Sequence, residues 1–340
     1  MGAVGMKDVA RHAGVSIGTV SNVMNHPEKV APATVERVHR SIEALSFVRN
    51  DAARQLREGH SKTVGFVVLD VRNPFFTDVA RGAENRARKD GLSIILGNSD
   101  DDPDRESAHL ELFEQQRSYG ILISPIGDVT PRLSELRARG IPAVLVDRAS
   151  TDRTISSVTV DDVAGGRMAV EHLISEGRSR IAFVGGPLST RQVADRLEGA
   201  RAAVGAHAGV TLEVLVLNTL SVIAGRQAGQ EIAARTEPPD AIFAANDLVA
   251  MGVLQALLLQ GAGIRVPDDI ALIGYDDIDF ASAAVVPLSS IRQPAEMIGH
   301  TALEVLLEEA ANPKAAPRHV EFQPELVVRG SSSATAVDRA

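Results

Sequence analysis

Residues 14–18 read Gly14-Val15-Ser16-Ile17-Gly18. G-x-S-x-G is the spacing that presents a serine nucleophile on a sharp strand-to-helix turn. The same five residues suit a different job, a glycine stop followed by a serine that caps the next helix. A second set of reactive groups is scattered along the chain: Asn73, Phe75, Phe76, Asp147, Arg196, Asn246 and Asp276. Brought together, the carboxylates and amides would accept hydrogen bonds from hydroxyls, the guanidinium would donate, and a ring would cover the C–H face of a sugar. Bond-making chemistry has no comparable set. There is no G-x-x-x-x-G-K-[ST], no H-E-x-x-H and no G-x-G-x-x-G after a strand pattern, and the nine histidines show no ligand or triad spacing. Zero cysteine removes disulfides, thiolate catalysis and Cys-ligated zinc. No catalytic residue, metal or cofactor is therefore expected.

The elements around Ser16 decide between its two readings. An elbow needs a strand before its serine, but Val9, Ala10 and Ala13 recur at helical spacing and Gly14 stops that run. Ser16 is thus expected to cap a second helix with Val20, Val23 and Met24 on its apolar face, ended by Asn25-His26-Pro27. Pro32 opens a third, with Val35, Val38, Ile42 and Leu45 as its stripe. Helix, glycine turn, helix and third helix make a helix-turn-helix module; a small three-helix bundle with no DNA role is the alternative. The polar groups of the second helix favour DNA. Ser16, Thr19, Ser21, Asn22 and Asn25 can meet phosphates or base edges, where a merely solvated helix would carry Glu and Lys.

Charge divides along the same line. The chain carries a net charge of -9, yet residues 1–62 hold nine Lys+Arg and six Asp+Glu, leaving 26 and 38 in the rest. A slightly basic head on an acidic body fits a DNA-binding sensor. Residues 50–62 join the two. Asn50 can cap a short helix ended by Gly59, on which Ala53 and Leu56 share one face. Such a helix is too short to stand alone and would need a second copy and DNA to support it; a plain linker is the alternative.

From residue 63, apolar β-rich runs alternate with helical patterns: TVGFVVLDV, LSIILGN, YGILISP, PAVLVD, RIAFVGG, EVLVLN, AIFAAN and IALIGYD. That alternation predicts α/β lobes with parallel sheets, and the number of strands predicts two of them. The crossings are expected near 160–162 and 291–293. This gives a first lobe of 63–161 and 292–320, a second of 162–291 and 321–330, and a disordered tail over 331–340. Ligands of such sheets sit beyond the carboxyl ends of strands, where the scattered polar residues fall. Of the two phenylalanines, one is expected in the core and one at the cleft. Asp247 and Asp277 are expected to be helix caps. The helix LVAMGVLQALLLQ (248–260) is apolar nearly all round, so its second face should be covered, by a dimer partner with help from the loop at 280–287 or by the monomer itself. No run reaches the roughly 20 apolar residues that span a bilayer, and no apolar leader is seen, so no membrane and a cytoplasmic location are expected.

MKDVARHAGVSIGTVSNVMN (6–25) and RNDAARQLREG (49–59) resemble the head and hinge of the lac repressor / galactose repressor family. The similarity continues through NPFF (73–76), VDR (146–148), GGP…DRLEGA (185–200), FAANDLVAMGVLQAL (243–257) and IGYDD (273–277). The resemblance implies a periplasmic-binding-protein-like body behind a helix-turn-helix head, and a homodimeric regulator, a repressor, on double-stranded operator DNA. It implies an effector, a sugar or related metabolite, contacting Arg196, Asn246 and Asp276. It places Ile17, Gly18 and Asn22 in the major groove. If two of the short helices at 50–59 pair in a dimer, their apolar face is expected to enter the minor groove, with Leu56 as a wedge and Ala53 allowing close approach. One departure is Leu220, where several members present an aromatic. Control by a protein corepressor, or a cytoplasmic sugar-binding module or enzyme, are the alternatives.

Overall fold

The computed structural model describes residues 4–47, 60–150, 153–260 and 263–333. They fall into two compact units, Met1–Ser61 and Lys62–Ala340. The head holds α1 (Met6–Ala13), α2 (Ile17–Asn25) and α3 (Pro32–Ala44). Gly14 takes φ 63°, ψ 38°, the left-handed turn that a Cβ disfavours, and its N–H closes the last carbonyls of α1. The expected stripes meet in one core of Val9, Ala10, Ala13, Val20, Val23 and Val38, closed by Phe47. Val35, Ile42 and Leu45 pack against it half-buried.

The body begins with β1 (Thr63–Val68), α4 (Pro74–Ala87), β2 (Ser93–Asn98), α5 (Pro103–Gln115), β3 (Gly120–Ile123), α6 (Thr130–Ala138), β4 (Ala143–Val146) and β5 (Ser157–Val160). The pattern then repeats with α7 (Asp162–Ser175), β6 (Arg180–Gly185), α8 (Arg191–Gly205), β7 (Thr211–Val216), α9 (Val222–Ala233), β8 (Ala241–Ala244), α10 (Asp247–Gln260), β9 (Ala271–Asp276), α11 (Asp279–Ser282) and β10 (Ser289–Arg292). It ends with α12 (Ala295–Ala311), β11 (His319–Phe322) and β12 (Glu325–Val327). Two six-stranded sheets result, in the orders β11-β5-β4-β3-β1-β2 and β12-β10-β9-β8-β6-β7. All pairings are parallel except β10 with β12. Both faces of each sheet are covered. Phe66 and Val68 enter one apolar cluster while Val67 enters another, and Phe183 and Ala182 divide the same way. This is why the strands read as unbroken apolar runs.

The chain passes between lobes three times: after β5, after β10 and after β11. The last passage corrects the expected boundary at 320, because β11 pairs with β5 through Phe322 and belongs to the first lobe. The tail also starts later than 331. Ser331 is fully buried, its Oγ donates to Leu272 O (2.6 Å), and its carbonyl accepts from Leu272 N (2.7 Å). Only 334–340 lie outside the described residues at this end.

Three helix pairs cross on facing glycines. A Cβ on Gly166 of α7 would stand 2.0 Å from Arg196 O, and one on Gly199 of α8 would stand 2.0 Å from Val163 O. Gly82 with Gly299 joins α4 to α12 in the same way, and Gly225 with Gly252 joins α9 to α10. That last pair explains the all-round apolar character of α10. Much of its second face lies under α9 within the monomer, while Leu258, Leu259 and the loop residue Val285 stay exposed at 38%, 75% and 92%. Among the described residues no helix is long and apolar enough to cross a membrane.

Candidate functional site

In the head, Ser16 is a helix cap. A helix precedes it, and its Oγ accepts the Thr19 N–H at 3.0 Å, so it caps α2. Losing such a cap costs about 1 kcal/mol. Ser16, Ile17, Gly18, Asn22 and Asn25 form an exposed face along α2, with Thr19 and Ser21 half-buried beside them. Two members of this face bond each other: Asn25 Nδ2 donates to Ser21 O (2.9 Å) and Ser21 Oγ (3.3 Å). Asn22 stands between them in sequence with its side chain exposed. Ala53 and Leu56 lie outside the described residues.

In the body, all seven scattered residues line one interlobe cavity of about 220 Å3. The first lobe supplies Asn73, Phe75 and Phe76 at the start of α4, and Asp147 just after β4. The second supplies Arg196 from α8, Asn246 before α10 and Asp276 at the end of β9. Both rings prove to be core and lining at once. Phe75 and Phe76 are 3% and 6% exposed and meet edge to face at 5.1 Å. Two of the carboxylates sit on unusual backbone: Asp147 has φ 56° and Asp276 φ 105°. Positive φ at a non-glycine residue costs roughly 1–3 kcal/mol and persists where surrounding structure imposes it.

Arg196 organises the floor. Its Nε donates to Asp162 Oδ1 (2.8 Å), its Nη1 donates to Ala245 O (2.8 Å), and its guanidinium lies 3.7 Å from the Tyr275 ring centroid. Its Nη2 is 3.9 Å from Asp276 Oδ1. Burial alone would favour the neutral form, but Asp162, Tyr275, Asp276 and Asp147 hold the group charged, above its usual range. Two residue pairs hydrogen-bond between lobes. Asn73 Nδ2 donates to Asp276 Oδ2 (2.9 Å), and Gln192 Nε2 donates to Asp147 O (2.6 Å) and Asp147 Oδ2 (3.0 Å). Gln293 Nε2 adds a bond to Asp276 Oδ1 (2.8 Å).

Sequence reasoning missed Asp162, Gln192 and Gln293, and the mouth residues Asp70, Arg72, Asp100 and Asp101. Gln192 carried a usable signal, because it lies four residues before Arg196 on the same face of α8. Two capping expectations are corrected. Asn246 caps α10 through Val249 N (2.9 Å), whereas buried Asp247 accepts from Ser290 Oγ (2.7 Å) and Ile278 N (2.9 Å). Asp277 pairs instead with Arg292 (2.8 Å) and Arg329 (2.5 Å).

Burial, reinforced by Asp162, pushes the Asp147 carboxyl well above the carboxylate range, with Arg196 opposing. A raised carboxyl holds its proton in the folded state where the unfolded chain has lost it. Its stability contribution is therefore present below the unfolded value near pH 4 and is lost as pH rises through the folded value. Asp147→Asn keeps an acceptor for Gln192 and tolerates positive φ. This variant should gain stability relative to the parent as pH rises above the unfolded value. Denaturant titrations over a range of pH above that value check it; a constant difference would show that Asp147 does not titrate there.

Residues 5–50 match the family described as bacterial regulatory proteins, lacI family, and residues 170–332 match the periplasmic binding protein-like domain. The ribose operon repressor of Escherichia coli K12 is 34% identical over 330 residues, 96% of this chain and 99% of that protein. The lac repressor dimer bound to operator and an anti-inducer superposes with a TM-score of 0.82 at 26% identity, covering 97% of this chain and 99% of that one. A LacI family regulator from Enterococcus faecium with bound ribose gives 0.73 at 28% identity, over 80% and 98% of the two chains. Since the identity runs through both the head and the cleft-bearing body, the chain belongs to the lacI family of bacterial regulatory proteins.

Proposed function

We propose that this chain is a transcriptional repressor that binds a near-palindromic operator as a homodimer and is controlled by a small polar effector, a sugar or related metabolite, held between the lobes of its body. It would act in the cytoplasm, where the operator is. The observation that carries this reading is the convergence of Asn73, Asp147, Arg196, Asn246 and Asp276 from both lobes on one buried polar cavity, in a chain that also carries a capped helix with an exposed polar face. A ligand touching both lobes has different affinity for different lobe relations, which is what can couple a cleft to a separate DNA site. The exposed Leu258, Leu259 and Val285 offer an apolar contact for a second copy. Relatives that are a ribose operon repressor and a ribose-bound regulator favour a sugar.

On the head, Ile17 can touch a thymine methyl, Gly18 leaves one base weakly specified, and Asn22 can hydrogen-bond a base edge. Asn22→Ala should weaken operator binding by about 1–3 kcal/mol and relax preference at one half-site position. The test selects preferred sequences from a random duplex pool and titrates them with parent and variant. Equal loss on every sequence would make Asn22 a backbone contact. The cleft half is tested by thermal-shift screening against sugars, sugar phosphates and nucleosides, repeated with Asn246→Ala. A shift that survives this substitution would place the ligand elsewhere.

A further inference from the structure

Among the described residues, two buried polar atoms in the cleft are left without hydrogen-bond partners. Asp147 is 3% exposed and Gln192 is 4% exposed, and both line the cavity. Gln192 Nε2 faces the carbonyl and one carboxylate oxygen of Asp147. A carbonyl only accepts, so the amide nitrogen must lie on that side, and the orientation of Gln192 is settled by its partner. Its Oε1 is then the free end, and neither Gln192 Oε1 nor Asp147 Oδ1 has a hydrogen-bond partner among the described residues. Buried polar atoms without partners are costly, and one ligand hydroxyl removes that cost for both: it donates to Gln192 Oε1 and accepts from the protonated Asp147 Oδ1, since Oδ2 already accepts from Gln192. One comes from each lobe, so a ligand bonded to both also fastens the lobes together.

Charge narrows the class further. Five aspartates and two arginines line the cavity, with no lysine or histidine. Both arginines are committed. Arg196 bonds Asp162 and Ala245 O. At the mouth, Arg72 Nε donates to both oxygens of Asp70 (2.9 and 3.0 Å), and its Nη2 donates to Asp100 Oδ1 (2.7 Å). Beside them, burial and then Asp70 and Asp100 push the Asp101 carboxyl upward, the response of an acid in an already negative surrounding. An anionic group arriving here meets carboxylates first and no uncommitted cation. The apolar lining includes Leu220, which offers no ring face to a planar base.

We infer that the cleft selects an uncharged, hydroxyl-rich ligand, that Asp147 and Gln192 together read a hydroxyl on it, and that Asp70, Asp100 and Asp101 exclude its phosphorylated forms. This rests on the cleft being the effector site. Gln192 is thereby a specificity-determining residue, and the effector is the free sugar rather than the sugar phosphate made from it by kinase-type chemistry.

The test is calorimetric titration of the full chain with common neutral pentoses, hexoses and polyols, with D-ribose 5-phosphate and glucose 6-phosphate, and with hypoxanthine. A neutral sugar should bind, and its phosphate should bind at least roughly 100-fold more weakly. Gln192→Met keeps the side-chain length, removes the acceptor and should weaken the neutral sugar at least roughly ten-fold. The double variant Asp100→Asn with Asp101→Asn should raise affinity for the phosphate relative to affinity for the neutral sugar. A phosphate or hypoxanthine that binds as tightly as any neutral sugar, or full sugar affinity in Gln192→Met, overturns the inference. So does the absence of binding by every neutral sugar and polyol. Neutral-sugar binding that is indifferent to Asn246→Ala would instead fail the cleft reading itself, so the two failures are distinguishable.

Discussion

Arg196→Ala is expected to destabilise the body by about 3–5 kcal/mol, the usual consequence of removing one partner from a buried ion pair. The guanidinium is 4% exposed and is the cation that faces Asp162, Asp276 and Asp147, all buried. Without it the Asp162 and Asp276 carboxylates lie buried with no cation facing them, and they must either protonate or admit water. The variant therefore should lose effector binding through loss of the second lobe's order, and not only through one missing contact. Arg196→Lys should rescue little, because an ammonium cannot bond Asp162 and Ala245 O in the geometry of the planar fork or stack on Tyr275 in the same way. Denaturant unfolding of the full chain measures the loss, with the head's own core serving as an internal control. If Arg196→Ala unfolds at the parent's midpoint, the guanidinium is not compensating those carboxylates. Asp276→Asn is the gentler probe of the site. It keeps an acceptor and uncovers no charge, so it should impair effector binding while leaving the fold close to the parent.

The second large effect is expected at Gly166. Valine there would put its Cβ 2.0 Å from the Arg196 carbonyl, inside any allowed contact, so α7 and α8 must separate. Overpacking of this kind costs about 1–3 kcal/mol, and the lower end is excluded when the obstruction is backbone rather than a side chain that can swing away. The displacement falls on the residue that carries the guanidinium, so effector affinity should drop together with stability. Gly205 is the control. It ends the same α8, a Cβ there meets nothing within 4 Å, and Gly205→Ala should be neutral or stabilising by up to about 1 kcal/mol. Similar stability for Gly166→Val and Gly205→Ala would show that the two helices tolerate a wider crossing.

What could be read from the sequence was whatever local periodicity and end-of-element chemistry encode. Ser16 could be assigned as a cap because helix spacing before it and Gly14 between are local facts, and the capping bond is local too. The apolar runs of the body announced covered parallel sheets, and the polar residues at strand ends announced a cleft, since in such sheets only that edge is open to a ligand. The family resemblance then named Arg196, Asn246 and Asp276, and all three line the cavity.

Tertiary structure decided the rest. Asp162 and Gln293 became neighbours of the site through contacts spanning 34 and 17 residues, and Asn73 meets Asp276 across 203. No spacing rule reaches that far, because sequence separation carries no distance once the chain crosses between lobes three times. Asp247 and Asp277 looked like caps, yet buried serine, backbone and arginine partners claimed them. The apolar second face of α10 was visible in the sequence, but whether another helix or another molecule covers it depends on Gly225 and Gly252 letting α9 approach. Periodicity records that a surface is hidden from water; which surface hides it is fixed only when backbones pack.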